Sequence, residues 1–153
     1  MKIIYKKGDV TEADEPVIVH GCNALGVMGG GVAKTIRDKF PKAYKEYRKE
    51  YEQFGLRLGT LVDGGTVGGK RIIHAITQGS YGTDRRQVNY ESVYRCFEEL
   101  NKRASGSGIA AIAMPRIGSG LGGGHWPIIA TIIEETATAY QPVVYDYEEE
   151  CSE

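Results

Sequence analysis

The chain has 153 residues, of which 41% are hydrophobic, and its formal net charge at pH 7 is −1. This length suits one domain with a single core, and the lack of a basic excess argues against a long nucleic acid as the main partner. The three cysteines show no paired spacing, which predicts a reduced protein with neither a disulfide framework nor a zinc site. No apolar run approaches the ~20 residues that cross a bilayer, and we recognise no signal peptide, so we expect a cytoplasmic protein without a membrane partner.

In the first half of the chain, hydrophobic periodicity predicts strands that alternate with helices. A glycine-rich loop at 21–31 separates a buried strand from an amphipathic helix. Pro41 starts a second helix, which Gly55 caps. The predicted elements are a strand at 2–6, a turn at 8–11, a strand at 16–20, a helix after residue 31 and a helix from 41 to about 54.

The second half continues this alternation. Asn89 is a candidate cap for an amphipathic helix that a glycine-rich segment at 105–108 ends. The other predicted elements are strands at 58–62 and 71–77 joined by a hairpin loop at 64–69, a polar loop at 78–88, a strand at 109–114, a helix at 126–139, a strand at 142–147 and an acidic tail at 148–153. This order predicts one domain over 1–147, an α/β sandwich with a mixed, mostly parallel sheet.

Two glycine-rich loops follow predicted buried strands, at 21–31 and at 118–124, and the second has five glycines in seven residues. Glycine lets a ligand approach the main chain, and a strand–loop–helix arrangement directs backbone N–H groups toward one point, where they can hold a phosphate. Ligands of such sheets bind beyond the carboxyl ends of the strands, so both loops can share one crevice. Neither loop has dinucleotide-binding or Walker A spacing. The residues therefore predict a different kind of site for a phosphorylated, nucleotide-like ligand.

Three ordered motifs carry a resemblance to a known family. They are Gly-Asp-Val-Thr at 8–11, Asn23 followed by Gly-Gly-Gly-Val-Ala at 29–33, and Met-Pro-Arg-Ile-Gly-Ser-Gly-Leu at 114–121. In these the chain resembles the macro domain family, and within it the branch that holds ADP-ribose-1″-phosphate phosphatases and glutamate-ADP-ribose hydrolases. The resemblance implies a three-layer α/β/α sandwich and ADP-ribose as the ligand, and it implies no cofactor and no metal.

The resemblance also implies roles for individual residues. Asp9, beside Val10, would accept a hydrogen bond from the adenine amino group, and Asn23 would bond the hydroxyls of the distal ribose. Tyr145 or Tyr147 would stack on adenine, unless these tyrosines are ordinary edge-strand aromatics. Main-chain contacts to the distal ribose and the phosphates would come from the two glycine loops, through Gly29, Gly30, Gly31, Val32, Ser119, Gly120, Leu121 and Gly122.

The resemblance favours a phosphatase over a lysine-dependent hydrolase. The ADP-ribose hydrolases of this branch carry a catalytic lysine where this chain has Gln78, and an aspartate where it has Gly122. His125 precedes the predicted helix at 126–139, and its imidazole can orient or deprotonate a water near pH 7; His125 or Asn23 would help to position that water. The alternative for His125 is a helix cap or a surface residue.

Other candidate groups have simpler interpretations. His20 and His74 lie within apolar strands and are typical of core histidines, while Cys22 is typical of a small buried residue. The adjacent arginines at 85 and 86 are typical of a solvated loop, although they could clamp a phosphate.

Three functions remain open at the level of sequence. The first is hydrolysis of ADP-ribose-1″-phosphate to ADP-ribose and phosphate. The second is a non-catalytic reader of ADP-ribose or of ADP-ribosylated protein, and the third is removal of ADP-ribose from protein without a lysine. The expected partners are therefore ADP-ribose, ADP-ribose-1″-phosphate or ADP-ribosylated protein, and we expect a monomer.

Overall fold

A computed structural model of the chain describes residues 1–82, 84–120 and 122–147. Leu121, which the resemblance places in the ligand site, and the acidic tail at 148–153 lie outside these residues. Within them, no helix is both long enough and apolar enough to span a membrane.

The described residues form six strands and four α-helices, in the order that the sequence predicts. In chain order they are β1 (Ile4–Lys7), a 3-10 helix (Val10–Glu12), β2 (Val17–Asn23), α1 (Gly31–Lys39), α2 (Pro41–Phe54), β3 (Leu61–Val67), β4 (Lys70–Gln78), α3 (Tyr90–Ser107), β5 (Ala111–Met114), α4 (Trp126–Thr136) and β6 (Gln141–Asp146).

The strands build one mixed sheet in the order β1-β6-β5-β2-β4-β3. All neighbours are parallel except β3 and β4, which pair antiparallel. Successive side chains of β2 face opposite sides of this sheet, as in any strand. Val17 and Val19 join the core under α3 and α4, whereas Ile18 packs with α1 and α2 on the other face. The predicted three-layer α/β/α sandwich is thereby confirmed.

The predicted hairpin loop at 64–69 is wrong in its extent. Strand β3 runs on to Val67, with an irregularity between Asp63 and Thr66, so only residues 68–69 turn the chain. Gly64 is needed for packing, because a Cβ there would lie 2.8 Å from His74 Nε2 and 2.9 Å from Ala43 Cβ. This glycine marks a close approach of α2 to the sheet, which sequence alone does not distinguish from a turn.

Candidate functional site

Two cavities open at the carboxyl ends of the central strands. The inner cavity, of about 680 Å³, lies between the ends of β2, β4 and β5 and both glycine loops. The outer cavity, of about 800 Å³, lies beside the 3-10 helix and the end of β6. Five residues line both cavities, so the two meet there: Gly31, Val32, Pro115, Arg116 and Gly120.

Backbone N–H groups without a partner among the described residues border this junction on two sides. Helix α1 begins there, and its first N–H groups have no intrahelical acceptor, as in any α-helix; the N-cap, Gly30, has no side chain that could bond to them. Across the junction, no hydrogen bond among the described residues uses the N–H groups of Gly118, Gly120 or Gly122. Free N–H groups beside a helix N-terminus form an anion site.

Bonds within the second glycine loop hold these N–H groups in place. The N–H of Gly124 donates to the carbonyl of Gly118 over 2.7 Å, and the carbonyl of Gly122 accepts from the N–H of Gln87 over 2.8 Å. A Cβ on Gly122 would lie 2.8 Å from the carbonyl oxygen of Gly118. The loop is therefore closed on itself and tied to the segment that precedes α3.

Asn23, at the end of β2, organises the first glycine loop. Its Nδ2 donates to the carbonyl of Val27 over 2.8 Å, and its Oδ1 accepts from the N–H of Leu25 over 2.9 Å. The Tyr47 hydroxyl donates to the Asn23 carbonyl over 2.7 Å. Asn23 lines the inner cavity, and an amide nitrogen carries a second hydrogen that can still bond a ligand. Its contact with the distal ribose stays a prediction.

Asp9 lines the outer cavity and is already hydrogen-bonded. Its Oδ1 accepts from the N–H and the hydroxyl of Thr11 over 2.9 and 2.7 Å, and its Oδ2 accepts from Lys39 Nζ over 3.2 Å. Partial burial acts to raise the pKa of the Asp9 carboxyl, but the bonds from Thr11 and Lys39 outweigh it, and the net pKa is lowered. The carboxylate is thus ionised at neutral pH and held at the mouth of this cavity.

Tyr145 also lines the outer cavity and is nearly buried. Its hydroxyl donates to Glu15 Oε1 over 2.7 Å, and Lys6 Nζ lies 5.8 Å from the centre of its ring. Tyr147, which is 67% exposed, lies at the same cavity. Stacking of either ring on adenine stays a prediction.

The other predicted ligand residues also line the cleft. Gly29, Gly30 and Gly122 line the inner cavity, and Val10 and Ser119 line the outer one.

His125 does not join these residues. It is exposed, and it lines neither cavity. It does stand at the N-cap of α4, where its side chain makes no capping bond and its N–H donates to the Tyr90 hydroxyl over 2.9 Å. The structure therefore does not bring the predicted general base to the inner cavity.

Gln78 and Gly122 fit against one another. Gln78 lines the inner cavity, its Nε2 donates to the carbonyl of Ser80 over 2.8 Å, and a Cβ on Gly122 would lie 2.9 Å from its Oε1. The two positions at which this chain differs from the lysine-dependent hydrolases, Gln78 and Gly122, thus lie side by side. Among the described residues that line the inner cavity there is neither a lysine nor a carboxylate.

Arg116 is a site residue that the sequence reasoning missed, although it lies within the third motif. Its guanidinium pairs with Asp146 through Nε–Oδ1 and Nη2–Oδ2 contacts of 2.6 and 3.1 Å. It also lies 5.3 Å from the ring centre of Tyr5 and 5.2 Å from that of Trp126. These contacts hold the guanidinium, paired with the Asp146 carboxylate, at the junction, since Arg116 lines both cavities.

Comparison with known proteins identifies this arrangement. A family model described as Macro domain matches residues 19–133, most of the chain. The chain belongs to the macro domain family. The resemblance carried by the three motifs is thereby confirmed, and the cleft lies at the glycine loops of this macro domain.

Its relatives have different names. An uncharacterised 17.5 kDa protein of Enterobacteria phage T4 is 32% identical to this macro domain over 97% of the chain and 98% of its own length. The DNA ADP-ribosyl glycohydrolase of Thermus aquaticus is 29% identical over 94% of the chain, which spans only 40% of that protein. The ADP-ribose 1''-phosphate phosphatase of Candida albicans is 26% identical over 87% of the chain and 92% of its own length.

Among solved structures, a protein of unknown function from Bacteroides thetaiotaomicron has the same fold. Its TM-score with this macro domain is 0.85 at 30% identity, covering 95% of this chain and 98% of the other.

Proposed function

We propose that this macro domain binds ADP-ribose along the cleft and hydrolyses ADP-ribose-1″-phosphate to ADP-ribose and phosphate. Adenosine would occupy the outer cavity, the diphosphate the junction, and the distal ribose the inner cavity. The observation that carries the proposal is that two sets of backbone N–H groups, at the start of α1 and in the second glycine loop, flank the place where the cavities join. A diphosphate between two sugars is the anion that such a junction fits.

The composition of the inner cavity supports a phosphate ester as the bond that is cleaved. Phosphoryl transfer needs little covalent chemistry from the protein, because positioning and N–H donors to the equatorial oxygens provide most of the catalysis. The described lining supplies such donors at Gly118 and Gly122 and at the Asn23 amide, without a carboxylate to repel the phosphate. Water would attack phosphorus, the bond from phosphorus to the 1″ oxygen would break, and that oxygen would leave with a proton as the hydroxyl.

A second function is favoured by one specific observation. Tyr81 is 57% exposed and lines the inner cavity, where an aromatic ring offers a stacking surface to a nucleobase. The relative from Thermus aquaticus is named as a DNA ADP-ribosyl glycohydrolase. Removal of ADP-ribose from DNA is therefore the alternative activity for this cleft, and a non-catalytic reader is the third outcome.

The test is phosphate release from ADP-ribose-1″-phosphate, measured beside calorimetric binding of ADP-ribose. Gly120→Ala adds a methyl group at the junction, where no atom lies within 4 Å of the new Cβ, so the fold is kept while the ligand is displaced. We expect phosphate release to fall by about 100-fold, the cost of misplacing a reacting group by an ångström. Gly106→Ala, equally open but within α3, is the matched control and retains activity.

The outcomes separate the three functions. Binding of ADP-ribose without phosphate release, but with release of ADP-ribose from a modified oligonucleotide, would favour the glycohydrolase. Binding without either reaction would favour the reader. No binding at millimolar ADP-ribose would contradict the proposal as a whole.

A further inference from the structure

Three buried side chains with metal-ligating atoms meet below the inner cavity. His20 and Cys22 lie on β2, and His74 is the register partner of His20 on the parallel strand β4. Their exposed fractions are 0%, 3% and 0%. His20 Nε2 lies 2.7 Å from His74 Nδ1, and Cys22 Sγ lies 3.6 Å from the former and 3.9 Å from the latter. The proposed binding of ADP-ribose assigns no role to this cluster.

The hydrogen bonds of His74 prepare one of these atoms for a metal. His74 Nε2 lies 2.9 Å from the carbonyl oxygen of Ala43. A carbonyl only accepts, so Nε2 carries the hydrogen, and the Nδ1 of the neutral ring presents its lone pair toward the other two side chains. A histidine that donates its second N–H to a backbone carbonyl is the arrangement found behind metal ligands.

The spacing of the three atoms matches bond lengths to a soft cation. In the plane of their triangle, one point lies about 2 Å from all three, close to the usual lengths of zinc–nitrogen and zinc–sulfur bonds. Two imidazole nitrogens and one thiolate are ligands that zinc and copper prefer over magnesium or calcium. His20 and Cys22 also line the inner cavity, so the three atoms lie directly beneath its floor.

We propose that His20, Cys22 and His74 bind one thiophilic metal cation at the floor of the inner cavity. Binding replaces the hydrogen bond between the two rings. The proton on His20 Nε2 moves to Nδ1 of the same ring, and the Cys22 thiol releases its proton to solvent, so one proton leaves for each cation bound.

The protonation states of the empty cluster are consistent with this reaction. Burial lowers the pKa of His74 to about 4, and burial next to His74 lowers the pKa of His20 well below its usual value. Both rings are therefore neutral, as ligation requires. Burial also raises the pKa of the Cys22 thiol, and the charge of a bound cation offsets that effect.

The experiment uses the full chain with Cys151→Ser, which removes the thiol of the tail. Co²⁺ is added while the sulfur-to-cobalt charge-transfer absorption is followed, and Zn²⁺ affinity is measured by competition with a chromophoric chelator. We expect one equivalent of either ion to bind and an excess of Mg²⁺ not to compete. Cys22→Ser should abolish the absorption and weaken Zn²⁺ affinity by at least about 100-fold. This is the upper end of the loss caused by removing a residue that only hydrogen-bonds to a metal ligand, and removing a ligand should cost at least as much.

Cys96→Ser is the matched control. Cys96 is the other buried cysteine, and its Sγ contacts the carbonyl oxygens of Thr60 and Ile76. This variant should keep both the absorption and the affinity. Near-ultraviolet circular dichroism establishes that each variant is folded. No cobalt absorption in the parent, an absorption that survives Cys22→Ser, or its loss in both folded variants would each overturn the site. None of these readouts depends on ADP-ribose.

Discussion

The outer and inner cavities differ in the charge of the side chains that line or support them. At the outer cavity, the Asp9 carboxylate is paired with Lys39. The carboxylate of Glu15, which accepts a hydrogen bond from Tyr145, is paired with Lys6. Burial acts to raise the pKa of Glu15, but hydrogen bonds from Tyr145 and Lys6 outweigh it and lower the net value. At the inner cavity, the described polar side chains other than Arg116 are neutral: His20, Cys22, Asn23, Gln78 and Tyr81.

This difference in charge suits the two ends of the cleft to different parts of a ligand, a base at the outer end and a phosphate at the inner end. A neutral base with an exocyclic amino group is well matched by an ionised acceptor such as Asp9. A phosphate is better matched by N–H donors without a neighbouring carboxylate, which would repel it. Under the proposed function, adenine would therefore be recognised at the outer end and the chemistry would take place at the inner end.

The largest expected effect tests the inner end. Asn23→Ala removes the amide that holds the first glycine loop, and phosphate release should fall by about 100- to 1,000-fold, the cost of losing one preorganised donor. The free energy of unfolding should fall by about 1–3 kcal/mol, because the N–H of Leu25 and the carbonyl of Val27 lose their partner.

Asn101→Ala is the control for that change. The Asn101 side chain, like that of Asn23, makes several hydrogen bonds: it bonds to the N–H and hydroxyl of Thr138 and to the N–H of Ala139, away from the cleft. It should lose similar stability and keep ADP-ribose affinity and turnover. Equal losses of turnover in both variants would mean that Asn23 acts only through stability.

A second prediction concerns the neutrality of the buried histidines. The unfolded chain takes up protons on histidine near the ordinary pKa of 6.5, whereas folded His74 does so only near 4. Stability from this residue is therefore complete above pH 6.5 and is lost as the pH falls toward 4. The free energy of unfolding should fall by about 3 kcal/mol through His74, at about 1.4 kcal/mol per pH unit. Urea unfolding at a series of pH values measures this loss.

Two variants sharpen this prediction. His74→Leu should flatten the dependence of unfolding free energy on pH, although it also lowers stability by leaving the Ala43 carbonyl unpaired. His125→Asn changes an exposed ring and should keep the slope of the parent. A parent whose stability does not change between pH 6.5 and 4 would show that the pair is already charged or is not buried.

A smaller effect tests the outer end. Asp9→Asn keeps an acceptor for Thr11 but removes the charge, and ADP-ribose affinity measured by calorimetry should weaken by about 1–2 kcal/mol. Glu12→Gln is the control, because Glu12 also contacts Lys39 but does not line the cavity. If Asp9→Asn binds ADP-ribose with the affinity of the parent, the Asp9 carboxylate does not recognise adenine.

The smallest expected effect is at His125. Because the residue is exposed and outside the lining of both cavities, His125→Ala should leave phosphate release within about twofold of the parent, as most surface substitutions do. A large loss of turnover would restore the role as general base that the sequence predicted for it.

The sequence predicts the fold and much of the cleft because the relevant signals are local. Apolar runs such as the one in β2 mark buried strands, and glycine clusters mark the loops that follow them. Asp9 and Gly120 could be assigned to the cleft from motifs that each occupy a few consecutive residues, and Tyr145 from its position at the end of the last strand.

The remainder depends on contacts that are distant along the chain. The meeting of His20 with His74 follows from the register of β2 on β4, and the pairing of Arg116 with Asp146 joins β5 to β6. The hydrogen bond from the His125 N–H to the Tyr90 hydroxyl joins the end of the second loop to α3. Periodicity and spacing carry no information about these three arrangements.

A crystal structure with ADP-ribose tests the central claim most directly. We predict diphosphate oxygens about 2.7–3.2 Å from the backbone nitrogens of Gly120 and of the first residues of α1, the range of ordinary N–H···O bonds, with adenine beside Asp9 and the distal ribose beside Asn23. A diphosphate bound away from this junction, or adenine in the inner cavity, would contradict the account.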